Sequence, residues 1–281
     1  MATDNASAPL EGKTIFMSGG SRGVGLAIAL RAAQDGANVA LIAKTDEPHP
    51  KLPGTIHTAA EEIRDAGGQA LPIVGDIRDA DAVEEAVECA VEEFGGIDIA
   101  VNNASAINLS GTEELEVKGY DLMQEINVRG TFVVTRACLP HLKKSAENPH
   151  VLTLSPPLNL APKWFGAHVA YTISKYNMSM LTLGWAEEFR EDGIAFNSLW
   201  PRTMLATAAV MNLLGGEEAM ARSRTPEILA DAAHAILARG PEYTGNLLTD
   251  EDVLAEEGIT DLERYRADPE GGELAVDLFL D

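Results

Sequence analysis

Residues 14–25 read TIFMSGGSRGVG, and the reading of that stretch decides the fold. Thr14–Ser18 is a short apolar run with strand character. Gly19, Gly23 and Gly25 follow it, and VGLAIALRAAQDG (24–36) continues with the apolar spacing of a helix. Glycines let a chain turn sharply and let its backbone approach a pyrophosphate, whose charge then meets the free amides and positive dipole end of the helix. A glycine cluster alone is also an ordinary turn. A strand before it, a helix after it and a second strand within about thirty residues select the phosphate cradle instead. NVALIA (38–43) supplies that second strand. Gly19, Ser21, Arg22, Gly23, Val24 and Gly25 are therefore the first candidate cofactor-binding residues.

Outward from this unit the pattern repeats. Strand-like runs recur at ALPIVG (70–75), IDIAVNN (97–103), HVLTLS (150–155), IAFNSLW (194–200) and GNLLT (245–249). Helical patterns lie between them, among them DAVEEAVECAVEEFG (81–95), YDLMQEINVRGTFVVTRACLPHL (120–142) and AYTISKYNMSMLTLGWAEEF (170–189). The strands are apolar throughout, as for strands covered on both faces. The alternation predicts an α/β fold: a Rossmann-type doubly wound parallel sheet of about seven strands with helices on both faces. No linker interrupts it, so residues 1–281 are expected to form a single domain after a short disordered lead-in over residues 1–10. Residues 44–57, 104–116 and 201–225 make longer connections, all beyond strand carboxyl ends, where ligands of such sheets bind.

Composition narrows the function. The chain has 281 residues, is 46% hydrophobic, and carries 21 Lys plus Arg against 44 Asp plus Glu, a net charge of −23. Nucleic acid and anionic membranes need basic footprints, so neither is an expected partner. No run of about 18 apolar residues could span a bilayer. MATDNASAPL lacks the basic and apolar regions of a secretory signal, and DLFLD (277–281) is not a targeting tripeptide, so the expected location is the cytoplasm. The acidic residues spread along helix faces, as a solvated surface or adaptation to a salty host would each explain. Cys89 and Cys138 fall in helical patterns without a CxxC unit and are expected to be buried free thiols. His49, His57, His141, His150, His168 and His234 show no metal-ligand spacing, so no metal is expected.

NAD sites usually carry an acid at the end of the second strand, about 20 residues past the glycines. Here that position reads Ala43-Lys44-Thr45, with no acid until Asp46. Arg22 and Lys44 suit the 2′-phosphate of NADP(H); two solvated cations beside a loop are the other reading. NADP(H) is the expected cofactor, with NAD(H) as the alternative. Tyr171 and Lys175 stand four apart in a helical stretch, one turn from each other on the same face. An ammonium beside a phenol stabilises the phenolate and moves it toward a working acid/base range, although a core tyrosine beside a solvated lysine has the same spacing.

Together these residues resemble the short-chain dehydrogenase/reductase family over essentially the whole chain. The glycine run is similar to that family's TGxxxGxG, with Ser18 in place of Thr. Asp76-Ile77 match its adenine-contacting pair, and Asn102-Asn103-Ala104 match its NNAG with Ser105 replacing Gly. Asn127, Ser155, Tyr171 and Lys175 match its catalytic tetrad. Pro201-Arg202-Thr203 stands where the family has Pro-Gly, so a bulky cation lies beside the expected nicotinamide position. The resemblance implies that Asp76, Ile77, Asn103, Ala104, Pro201 and Thr203 touch cofactor. It also implies reversible hydride transfer at a carbonyl or alcohol carbon. Tyr171 would move the oxygen-bound proton, with Ser155 bonded to the same oxygen as charge develops. Lys175 would lower the tyrosine pKa and bind ribose, and Asn127 would hold a relay water. By the same resemblance, helices holding residues 117–145 and 165–190 pair across a homodimer interface, with homotetramers common.

Pro156, Pro157, Leu158, Trp164 and Phe165, with Leu205, Met211 and Leu214, suggest an apolar alcohol or ketone as substrate, unless they pack core or a subunit contact. Lys163 and Arg202 are the candidates for a charged substrate group. Two other functions remain open. One is a catalytically silent nucleotide-binding or scaffold protein; the other is a C=C (enoyl) reductase on the same fold.

Overall fold

The computed structural model describes residues 8–48, 54–146, 148–213 and 215–281. Seven strands lie among them: β1 (Thr14–Ser18), β2 (Asn38–Ala43), β3 (Gln69–Val74), β4 (Ile99–Asn102), β5 (His150–Thr153), β6 (Ala195–Trp200) and β7 (Asn246–Thr249). All are parallel, in the order β3-β2-β1-β4-β5-β6-β7. This is the doubly wound Rossmann-type sheet expected of the sequence. The chain steps outward from β1 to β3 and then returns to place β4 on the other side of β1, which opens a crevice at their carboxyl ends.

Helices α1 (Gly23–Ala33), α2 (Ile56–Asp65), α3 (Ala80–Phe94), α4 (Val117–Met123), α5 (Thr131–Leu142), α6 (Pro162–Gly166) and α7 (Val169–Glu188) cover the first part of the sheet. Helices α8 (Ala208–Leu213), α9 (Gly216–Ala221), α10 (Glu227–Leu237) and α11 (Asp250–Glu256) complete it. Strand periodicity divides the core into two layers. Ile15, Met17, Val39 and Leu41 pack with Ile28 of α1 and Ile228 and Ile236 of α10. Phe16, Ala40 and Ile42 pack on the opposite face with Val83 and Val87 of α3, Val134 of α5 and Trp185 of α7. Termini are set locally. The Thr55 and Thr58 side chains form a capping box at α2, Asp79 accepts from two amides at the start of α3, and Gly95 ends α3 in the left-handed region.

Several expectations need correction. The sheet edges β3 and β7 are only partly covered, so these strands are not buried on both faces. The Gln69 and Gly75 amides point inward to β2, at Ala37 O and Ala43 O, so the alternating Pro72 nitrogen points outward, where no N–H is needed. Leu10 is buried and its amide donates to Asp35 Oδ2 at 3.2 Å, so the disordered lead-in expected over residues 1–10 does not extend to it; residues 1–7 lie outside the described residues. His49 and residues 50–53 of the long exit from β2 also lie outside them. The helix expected over 120–142 is broken in type: α4 passes into a π-helical segment, Gln124–Gly130, before α5 resumes. Cys138 is buried and burial pushes its thiol up, but Cys89 is exposed rather than buried. Among the described residues no helix is long and apolar enough to cross a membrane.

Beyond α11 the chain returns to the carboxyl end of the sheet. Thr203 bridges antiparallel to Val276, the Met204 amide donates to Ala275 O at 2.9 Å, and the Asp277 amide donates to Arg202 O at 3.1 Å. Residues 275–281 are thereby laid across the exit of β6.

Candidate active site

The crevice beyond β1 and β4 holds a cavity of about 1000 Å³. Its floor is the glycine turn. Gly19 adopts φ +74°, and a Cβ there would lie 2.7 Å from Ala104 Cα, so only glycine lets the turn after β1 meet the loop after β4. A Cβ on Gly25 would lie 2.5 Å from Asn103 Nδ2. That amide donates to Gly19 O at 2.7 Å and to Ser18 O at 3.3 Å, while Ser18 Oγ accepts from the Asn103 and Ala104 amides at 3.3 and 3.2 Å. The serine that replaces the family's threonine thus ties the turn to the end of β4. Arg22, the residue before α1, makes no side-chain cap, so the first amides of α1 are left to a ligand. Gly19, Ser21, Arg22, Gly23, Val24, Lys44, Asp76, Ile77, Asn103, Ala104, Tyr171, Lys175 and Pro201 all line the cavity. Gly25 lies behind it as a packing glycine. A cradle that any Cβ would fill, with unused helix amides above it, fits a dinucleotide pyrophosphate.

At the rim, the Arg22 guanidinium donates to Gly54 O at 3.3 Å. Lys44 Nζ stands 3.5 Å from Asp76 Oδ2 in a half-exposed pair. Asp76 is held more tightly by Arg78, whose Nε and Nη2 donate to it at 2.9 and 2.6 Å, and that pairing pulls its carboxyl down to about 2. Asp46 is occupied by His57 Nε2 at 2.7 Å. The end of β2 therefore presents Lys44 to the cavity and no free acid.

Tyr171 and Lys175 of the tetrad line the cavity, while Asn127 and Ser155 are not on its wall and sit on segments hydrogen-bonded to α7. Asn127 lies in the π-helical segment; its Nδ2 donates to Ala106 O and Ser174 Oγ, each at 2.9 Å, and its Oδ1 accepts from the Ala106 amide at 2.7 Å. These bonds lock the loop after β4 to α7. Lys175 Nζ donates to Leu154 O at 2.6 Å, and Ser179 Oγ donates to Pro156 O at 2.6 Å, so Ser155 is pinned on both sides against the helix that carries Tyr171. Ser155 is fully buried and its Oγ has no hydrogen-bond partner. A buried hydroxyl left unpaired is costly and calls for a ligand atom. Thr203 Oγ1, at the expected nicotinamide position, is likewise buried and unpartnered.

The electrostatics differ from expectation. Lys175 does not bring the phenol down: burial, and then Asp277, hold the Tyr171 hydroxyl above its ordinary value. The Lys175 ammonium is itself pushed down to about 7 by burial, against an opposing pull from Asp277. Burial raises Asp277 to about 7, with the nearby Asp250 adding to it, and raises Asp250 to about 6. Asp250 Oδ1 accepts from the Arg202 and Glu251 amides at 2.8 Å each.

Asp277, Leu278 and Phe279 are site residues that the sequence reading missed. Asp277 and Leu278 line the cavity. Phe279 is fully buried and stacks on Tyr171, with ring centroids 6.0 Å apart at 29°. Its φ of +73° is a strained conformation for a bulky residue, costing on the order of 1–3 kcal/mol. The available signal was the apolar Leu-Phe-Leu between two aspartates, which is hard to leave in water. Arg202, the departure from Pro-Gly, clamps this segment: its Nη2 donates to Asp281 O at 3.0 Å. Of the expected apolar wall, Leu205 lines the cavity, Leu158, Trp164 and Phe165 pack beside Tyr171 and Phe279, and Met211 is exposed. Leu214 lies outside the described residues. Lys163 pairs with Asp281 at the surface.

A family model for short chain dehydrogenases matches residues 13–217. Hydroxysteroid dehydrogenase-like protein 2 of Danio rerio is 58% identical over 272 residues, which is 97% of this chain and 65% of that protein. The chain thus spans a little under two thirds of that curated relative's length. The crystal structure of a short chain dehydrogenase from Mycobacterium thermoresistibile has a TM-score of 0.91 and 63% identity, covering 97% of this chain and 96% of that one. An NADH-dependent reductase solved with NAD has a TM-score of 0.69 and 26% identity over 86% of this chain and 96% of its own.

Proposed function

The chain belongs to the short-chain dehydrogenase/reductase family, and from that premise we propose that it transfers a hydride between NADP(H) and a carbonyl or alcohol carbon of an apolar substrate. The observation that carries this reading is the unpartnered, buried Ser155 hydroxyl, pinned against the helix that bears Tyr171 and Lys175. A nicotinamide dinucleotide supplies the hydride when bound. The glycine turn from Gly19 to Gly25 and the free amides of α1 would hold its pyrophosphate, and Arg22 and Lys44 would face a 2′-phosphate. Pro201, on the cavity wall, would hold the nicotinamide end, and Thr203 is not on that wall.

Ser155 donates to the substrate oxygen as charge grows there, and Tyr171 delivers the proton in reduction or accepts it in oxidation. Lys175, whose ammonium burial pushes down to about 7, favours the phenolate form only while it keeps its proton, and Asn127 acts by fixing the loop at Ala106 against Ser174. The preference for NADP(H) rests on Lys44 and Arg22 at a strand end without a free acid. The ion pair between Lys44 and Asp76 is half-exposed and worth little, so it yields readily to a phosphate. Phe132, Met180 and Leu183, exposed on α5 and α7, support pairing of two copies through these helices.

Tyr171→Phe is expected to cut turnover by roughly 10²–10⁴-fold while leaving NADPH binding within about twofold of wild type. Steady-state rates on a ketone and alcohol panel, with NADPH and NADH titrated in parallel by fluorescence, read both quantities. Undiminished turnover in that variant would remove Tyr171 from the mechanism, and equal affinities would remove the cofactor preference.

A further inference from the structure

Five rings enclose Phe279. Tyr176 lies 5.2 Å from it, Trp164 and Trp200 5.9 Å, and His168 and Tyr171 6.0 Å, centroid to centroid. One wall of this cage is the candidate acid/base itself. With Phe279 seated, Tyr171 is 4% exposed and Ser155 is fully buried, and Tyr171 forms part of the wall of the main cavity. The seat is specific for a flat ring, because edge contacts from His168 and stacking from Tyr171 both depend on aromatic geometry. Trp164 Nε1 adds a second buried polar atom without a partner beside it.

Before Phe279 the segment is tied by Trp200 Nε1 to Leu278 O and by the Asp277 amide to Arg202 O, each at 3.1 Å, and beyond it the ties lie at the surface. Asp281 is bound at the surface by Asn159 Nδ2 at 2.9 Å, by Arg202, and by the exposed Lys163. Phe279 itself is held at a strained backbone angle. Such a segment is built to be displaced by something that fills the same cage better.

We propose that the cage is the substrate's ring-binding site and that Phe279 occupies the place of the substrate's own ring, so that tail and substrate exclude one another. This rests on the hydride-transfer reading above and names its substrate class: an uncharged ketone or secondary alcohol bearing an aromatic or similarly flat ring a few bonds from the reacting carbon. A substrate's apparent affinity is then reduced by the fraction of molecules whose tail is seated.

The test uses 4-phenyl-2-butanone, with ringless 2-butanone as control, in the presence of NADP⁺ so that no reduction occurs. Hydrogen exchange is followed at the amides of residues 275–280, and affinity is measured by calorimetry. The ring-bearing ketone is expected to speed exchange at least fivefold, and 2-butanone to leave it unchanged. Phe279→Ala is expected to bind the ring-bearing ketone about tenfold more tightly than wild type. Phe279→Leu, which keeps the core filled, is expected to move in the same direction should the alanine variant fold poorly. Unchanged tail exchange, or no gain in affinity in either variant, overturns the proposal, and this includes absence of binding. Binding with tail release but no turnover when NADPH replaces NADP⁺ instead sinks the hydride-transfer reading and leaves the cage assignment standing.

Discussion

Asp277 is the residue whose charge state most affects the site. Burial raises its carboxyl from 3.8 to about 7, so the folded chain holds that proton more tightly than the unfolded chain does. The stability it contributes is complete below about pH 4 and is lost as pH rises toward 7. Asp277→Asn removes this dependence. The variant should therefore gain on wild type between pH 4 and 7.5, by at most about 4 kcal/mol, the equivalent of that rise. Urea unfolding at both pH values reads the difference, and a gap that is constant with pH contradicts it. Tyr171 and Lys175 were singled out in the sequence by their helical spacing, and Ser155 and Asn127 only by resemblance to the family's tetrad. Their electrostatics were not legible. Whether Lys175 charges Tyr171 depends on how much water reaches both, and that is decided by a segment about a hundred residues further along the chain.

At the level of the element, the turn from β1 to α1 shows how closely packing limits the sequence. A Cβ on Gly25 would meet Asn103 Nδ2 at 2.5 Å and Gly19 O at 2.7 Å, neither of which can withdraw without breaking the tie between them. Gly25→Ala should lower stability by about 1–3 kcal/mol and weaken NADPH binding together with it. Thermal unfolding with and without NADPH measures both, and a variant with native melting temperature and affinity would show the contact to be soft. The inner strands were readable because an apolar run flanked by glycines has few other homes. Their ends fell one or two residues short where a polar side chain such as Asn103 turned to bond the loop. The π-helical segment around Asn127 left no mark in the sequence. It arises from the bonds Asn127 makes to Ala106 and Ser174, which belong to other elements.

For the whole molecule, a doubly wound parallel sheet of about seven strands followed from alternation, but the return of residues 275–281 to the candidate site did not. Nothing local in DLFLD says that it crosses the end of β6; its anchors, Arg202 and Trp200, lie far back in the chain. Assembly is likewise a property of the folded surface. Met180 is 50% and Phe132 46% exposed on helices that face away from the sheet. Met180→Asp is expected to shift the protein toward monomer without changing its melting temperature by more than a few degrees, as sedimentation velocity and calorimetry would register. A variant with wild-type sedimentation would place the contact elsewhere. The outer rim of β3 bears on the same question from the opposite side. With Pro72 turned outward, that rim lacks a donor midway along its length, so a strand from a neighbouring molecule finds an interrupted ladder there. The proline guards this open side of the sheet against fibre-like growth by the edge-to-edge pairing of strands.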